Sequence, residues 1–97
     1  MTVFFVTPRA AKDLEAIARY GLQHWGDTLM ERYLRRLNDR CRWLASHPNA
    51  GRKRDDVGAG YRSFAEGQHL VFYITQTDAV AIIGVPHQAM DVGGYFG

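Results

Sequence analysis

The sequence predicts an α+β domain: a helical hairpin packed on one face of a small, mainly antiparallel sheet, in the order β-α-α-β-β-β. Three observations predict it. Two consecutive segments carry apolar residues at helical spacing and are joined by a link too short for anything but an antiparallel hairpin. Strand-like runs stand before and after that pair. Finally, the chain has 97 residues, 46% of them apolar and 23% charged, which is enough for one core but not for two. A single domain is therefore expected over residues 1–97, with 88–97 as a C-terminal tail.

The first strand is expected at Thr2–Thr7, a β-branched and aromatic run. Thr7 followed by Pro8 reads as an N-cap and a first helical residue. Ala10, Leu14, Ile17, Ala18, Gly21 and Trp25 then mark one face of a helix that stops near Gly26. Asp27 is expected to cap a second helix, whose apolar arc includes Met30, Tyr33, Leu37, Cys41 and Leu44. That helix should end near His47, because Pro48 disfavours helical backbone just before it. Asn49–Gly60 reads as a loop holding the charge cluster Arg52–Asp56. Three strands follow, at Tyr61–Ala65, His69–Thr75 and Ala79–Val85. The middle one is apolar on both faces and belongs at the centre of the sheet. Glu66-Gly67 and Thr77-Asp78 supply the turns.

The net charge is only +2, but it is unevenly placed. All twelve Lys and Arg lie between Arg9 and Arg62, and ten of the twelve are Arg. Guanidinium groups suit partners that carry carboxylates or phosphates. No apolar run approaches a membrane span, and no charged leader precedes a long apolar stretch, so neither membrane insertion nor a signal peptide is expected. With the lone Cys41 excluding an internal disulfide, these features point to the cytoplasm.

Catalytic chemistry finds little support. Cys41 falls in the apolar arc of the second helix, which predicts a buried, unreactive thiol. His24, His47, His69 and His87 show no close ligand spacing, so neither a metal nor a cofactor is expected. A nuclease needs a cation for the scissile phosphate, and the two strands after Arg62 contribute no Lys or Arg. Arg32, Arg36 and Arg40 form an i, i+4 row beside the apolar arc. The stem of Arg40 should cover the core edge while its head meets solvent or an acid. The same row could anchor an acidic, apolar partner segment laid along the hairpin.

Residues 7–20, from Thr7-Pro8-Arg9 to Ala18-Arg19-Tyr20, resemble the opening helix of the ParE toxins of the RelE/ParE superfamily. Trp25-Gly26, Tyr33 with Leu37, His47-Pro48, Gly51-Arg52, Gly60-Tyr61-Arg62, His69, Phe72-Tyr73, and His87-Gln88 with Met90-Asp91 continue the match over nearly the whole chain. The resemblance implies a toxin of a type II toxin–antitoxin system that inhibits DNA gyrase without being an enzyme. It also implies neutralisation by a ParD-like ribbon-helix-helix antitoxin, through which alone operator DNA would be contacted. On that basis Arg62, His69, His87, Met90, Asp91, Tyr95 and Phe96 are expected to serve gyrase binding, with no catalytic residue. Leu22, Trp25, Tyr33, Arg36 and Arg40 are expected to bind the antitoxin. RelE-type relatives share the fold but cleave mRNA on the ribosome, commonly with an Arg where this chain has Leu70. The end of the ParE pattern is also altered, with Gly84, Pro86 and Ala89 where the family commonly has Arg, Leu and Arg. The alternatives are thus a RelE-type ribonuclease, or a degenerate toxin that only binds its antitoxin.

Overall fold

The computed structural model describes residues 3–96; Thr2, expected in the first strand, and Gly97, expected in the tail, lie outside them. The elements run β1 (Val3–Val6), α1 (Pro8–His24), α2 (Asp27–Ser46), β2 (Arg52–Lys53), β3 (Arg62–Glu66), β4 (His69–Gln76), β5 (Ala79–Gly84) and α3 (Val92–Phe96). The sheet order is β1-β5-β4-β3-β2, which puts β4 in the middle as its two-sided apolar character predicts. β1 pairs parallel with β5, and the other neighbours are antiparallel. The α1–α2 hairpin carries the chain from β1 to β2 at the far edge of the sheet, and three antiparallel steps then bring β5 back beside β1 in the same direction.

Local chemistry sets the helix ends. The Thr7 hydroxyl accepts the Ala10 N–H at 3.4 Å and donates to the Ile82 carbonyl at 3.1 Å, so one side chain caps α1 and ties it to β5. At the other end, the N–H groups of Trp25 and Gly26 both reach the Gly21 carbonyl. Gly26 has φ 85°, where a Cβ would be strained, and it is the N-cap of α2. Asp27, expected as the cap, is instead the first helical residue. Its carboxylate sits where the helix dipole favours negative charge.

The hairpin packs on the sheet face that carries Val71, Tyr73, Val80 and Ile82, against Leu37 and Leu44 of α2, all at most 1% exposed. Fully burying each such side chain stabilises the fold by about 1.5–3 kcal/mol. Cys41 is buried in this layer, and desolvation pushes its thiol up to about 11, which makes it unreactive at neutral pH.

Two segments differ from expectation. Arg52-Lys53, read as loop, pairs antiparallel with Arg62 and Ser63 as β2. Consecutive cations have no strand-like alternation, so the pairing comes from the ladder of β3. The 88–97 segment, read as a tail, contains α3, which docks on the sheet face away from the hairpin. The Phe96 ring meets Phe72 edge-on at 5.0 Å and Tyr61 at 5.3 Å. The Arg9 guanidinium stacks on Tyr95 and donates to its carbonyl at 2.5 Å. Tyr95 reaches past the end of β5 and donates its hydroxyl proton to Asp13 of α1, which also accepts the Val85 N–H at 2.8 Å.

Gly84 leaves the space this docking needs. A Cβ there would stand 2.7 Å from the Tyr95 Oη and 3.2 Å from the Phe96 Cζ. Gly84→Ala should therefore break the Tyr95–Asp13 bond and cost about 1–3 kcal/mol. Urea unfolding and amide exchange over residues 92–96 check this, with faster exchange there expected.

Candidate functional site

The chain bends sharply between β3 and β4, and α2 meets it there. Gly67 opens the turn at φ 57°, and the ring of Tyr33 lies so close that a Cβ on Gly67 would fall 2.5 Å from it. The Tyr33 hydroxyl accepts the Gln68 N–H at 3.0 Å. It also lies 2.6 Å from Nδ1 of His69 and 3.3 Å from the Glu66 carbonyl. One phenol thus gathers three parts of the turn, from Glu66, Gln68 and His69. Burial pushes the Tyr33 hydroxyl above its ordinary value, so it stays protonated.

Beside this tie, Glu66 receives Arg40 Nε on one carboxylate oxygen and Arg36 Nη2 on the other, both at 2.8 Å. Burial raises the Glu66 carboxyl, but the hydrogen bonds from Arg40 and Arg36 outweigh it and hold the group below the usual value. The Arg40 guanidinium also lies 4.7 Å from the ring centres of both Trp43 and Phe64. Of the two readings of Arg40, the structure places its head on an acid of its own chain.

On the other side of the turn lies a cleft of about 400 Å³ between α1, the start of β4 and residues 85–90. Tyr20 and Trp25 form one wall, His87 and Met90 another, and His69 and Asp13 lie deeper. Trp25 meets Tyr33 edge-on at 5.3 Å and Tyr20 at 5.8 Å, so the aromatic wall is continuous with the Tyr33 tie. Spacing along the sequence shows no histidine pair, yet the fold brings His69 and His87 together across a β-bridge, with rings 5.3 Å apart. Burial lowers the proton affinity of His69, His87 lowers it further, and Asp13 opposes both. Among the described residues, no three His, Cys, Asp or Glu side chains gather as metal ligands. No Lys or Arg lines the cleft.

A second hollow of about 350 Å³ adjoins the first, with Trp25 and Gln68 as the shared wall. Leu29, Arg32, Tyr33 and Arg36 of α2 line its floor and rim.

The structure groups some of the expected residues and separates others. His69, His87 and Met90 converge on the first cleft, and Trp25, Tyr33 and Arg36 on the second hollow. Arg40 stands one helical turn farther along. Leu22 is exposed on α1 and lines neither hollow. Arg62 is remote from both: its Nη1 donates to the Gly51 carbonyl at 2.7 Å, near the end of α2. Asp91 accepts the Gly93 N–H at 3.2 Å at the start of α3, while Phe96 turns to the opposite sheet face and Tyr95 meets the first cleft only through its bond to Asp13. Sequence reasoning missed Asp13 and Glu66. Asp13 carried a signal, since a carboxylate three residues after Ala10 and four before Ile17 falls on the buried stripe of α1. Glu66 carried none beyond its place in a turn.

Comparison with known proteins follows the same outline. A family model described as the ParE toxin of type II toxin–antitoxin systems, parDE, matches residues 4–92. Toxin ParE1 of Caulobacter vibrioides is 36% identical over 97 residues, covering the whole of both chains. Toxin ParE1 of Mycobacterium tuberculosis is 34% identical over 90 residues, 92% of each chain. A solved structure described as a chromosomal ParDE system from P. aeruginosa superposes with a TM-score of 0.74, covering 90% of this chain and 95% of that one at 18% identity.

The His69 environment gives a pH prediction. Its folded value lies below the ordinary 6.5, so the folded state binds fewer protons than the unfolded one as pH falls. Stability should be full above 6.5 and decline as pH drops from there through the lower folded value. Urea unfolding across that window should show the decline in the native chain, and His69→Gln should flatten it.

Proposed function

The chain belongs to the ParE toxin family of type II toxin–antitoxin systems, and we propose that it inhibits DNA gyrase and is held inactive by a ParD-like antitoxin. The match over residues 4–92 carries the reading. The site chemistry supports it. The cleft beside His69 is walled by rings and a thioether and has no cation among the described residues to stabilise a transferring phosphate, which suits the capture of protein side chains rather than phosphoryl chemistry. His69, the histidine nearest its floor, already has Nδ1 engaged by Tyr33. We therefore read the toxin as a non-catalytic binder that acts in the cytoplasm and reaches operator DNA only through its antitoxin. No helix among the described residues is long and apolar enough to cross a membrane.

The altered end of the family pattern fits an intact toxin. Gly84 makes room for Tyr95 and Phe96. Pro86 is fully buried, and its carbonyl accepts the Leu70 N–H at 2.9 Å. Both residues serve packing here, which supports reading these two of the three departures as structural.

A supercoiling assay with purified gyrase tests the proposal. The chain should inhibit supercoiling and accumulate cleaved DNA, and the antitoxin encoded beside it should relieve the effect. A folded chain that leaves gyrase unaffected but cuts mRNA on ribosomes would overturn the reading.

A further inference from the structure

The charge cluster at residues 52–56 lines neither hollow, and only part of it is neutralised within the chain. Arg54 is fully engaged. Its Nε and Nη2 reach the two oxygens of Asp56 at 3.2 and 3.3 Å, and its Nη1 donates to the Ser63 hydroxyl at 3.3 Å. Asp55 accepts the Gly60 N–H at 3.1 Å. Arg52, Lys53 and Arg62, by contrast, have no carboxylate within ion-pair distance among the described residues. The ladder nevertheless sets them together, with Lys53 directly opposite Arg62 and Arg52 opposite Ser63. Like charges placed opposite one another destabilise a sheet. A charge on an edge strand guards against edge-to-edge pairing, which accounts for a cation on β2 but not for the second one facing it from β3. Arg62 is also held ready. Its Nη1 donates to the Gly51 carbonyl at 2.7 Å and the Asn49 carbonyl at 3.4 Å, while Nε and Nη2 donate to no group among the described residues. The two-pronged side of a fixed guanidinium is thus left open, the geometry that receives two oxygens of one phosphate.

We propose that this edge of the sheet, through Arg52, Lys53 and Arg62, docks the phosphate backbone of duplex DNA, and that the contact holds the toxin against the DNA bound by gyrase. The second clause rests on the gyrase reading above; the DNA contact itself goes beyond it. β2 is the outermost strand and its two residues point to opposite faces, so a phosphate chain laid along the edge meets cations on both sides. A polyanion fits better than an acidic protein segment. None of the exposed large apolar side chains lies on β2, β3 or the loop between them, so a peptide would have only exposed ion pairs to gain, which contribute little. Nucleic acid gains instead from releasing its condensed counterions. The rings of β3 and its approach are already packed, Tyr61 against Phe96 and Phe64 against Trp43, so the contact reads backbone and not bases. The groups around the cations are bonded as well. The Tyr73 hydroxyl donates to the Pro48 carbonyl and accepts the Gly51 N–H, and Asp55 and Asp56 are held within the loop. No group there is free to move a proton, so the edge binds phosphate without cleaving it.

The test uses the full-length chain and a mixed-sequence DNA duplex, with affinity read by fluorescence anisotropy from low to physiological salt. Arg52 and Lys53 are exposed, so the double variant Arg52→Gln/Lys53→Gln removes two charges without entering the core. It should weaken binding at low salt at least about tenfold and reduce the slope of log affinity against log salt by about 1.8, roughly 0.9 for each lost phosphate contact. Lys12→Gln/Arg19→Gln removes the same charge from exposed positions on α1 and should stay within about twofold of the wild type. Unchanged circular dichroism and melting will show that each variant is folded. In the gyrase cleavage assay, the β2 double variant should need at least about tenfold more protein to accumulate the same cleaved DNA. Absence of duplex binding by the wild type at low salt would overturn the proposal, as would equal losses in the two double variants. Tighter binding to single-stranded RNA of the same length would assign the edge to RNA and likewise overturn it. Duplex binding lost with potency on gyrase unchanged would overturn the role in poisoning and leave the gyrase reading standing. A wild type that binds the duplex through β2 but leaves gyrase unaffected would sink the gyrase reading and uphold the DNA contact.

Discussion

The Tyr33 hydroxyl is the point on which the functional half of the molecule depends. It comes from the second turn of α2 and engages the Gln68 N–H, His69 Nδ1 and the Glu66 carbonyl, all within one tight turn. An unsatisfied buried donor or acceptor costs about 1–3 kcal/mol, so the bond to Gln68 is expensive to lose. Its geometric effect is larger than its energy. The turn it fixes carries Glu66, Gln68 and His69, which reach the arginine row, the wall between the two hollows and the deep cleft in that order. Gly67 is needed for this contact, because both its positive φ and the ring above it exclude a side chain.

Two carboxylates extend the same logic to the flanks. Glu66 draws Arg36 and Arg40 onto β3 and so joins the second half of α2 to the sheet. Asp13 accepts the Val85 N–H and the Tyr95 hydroxyl, joining α1 to the end of β5 and to α3. In each case a charged group that would be costly to bury alone is partnered, Glu66 through both oxygens and Asp13 through Oδ2. The result is a groove whose walls come from four separate stretches of chain, held by side-chain bonds rather than by its own backbone ladder.

Much of the fold was legible because periodicity reports burial. The two helices, the central position of β4 and the burial of Cys41 follow from apolar spacing alone. The missed features are those that tertiary contacts decide. Arg52-Lys53 becomes a strand only because β3 lies beside it. Residues 92–96 form a helix although Gly93-Gly94 opposes one, because the rings of Tyr95 and Phe96 find the space above Gly84. The site was legible in part for the same reason. Residue type pointed to Trp25, Tyr33 and Arg36, but the meeting of His69 with His87 and the capture of Arg40 by Glu66 join residues 18 and 26 positions apart. No local pattern in the sequence encodes those pairings.

The most direct test of this account is a double-mutant cycle between Tyr33→Phe and His69→Gln, read by urea unfolding. If the hydroxyl–imidazole contact at 2.6 Å is a true structural tie, the two losses will couple by about 1 kcal/mol or more. Additivity within about 0.3 kcal/mol would contradict the account, because the turn would then be held by its packing and not by this bond.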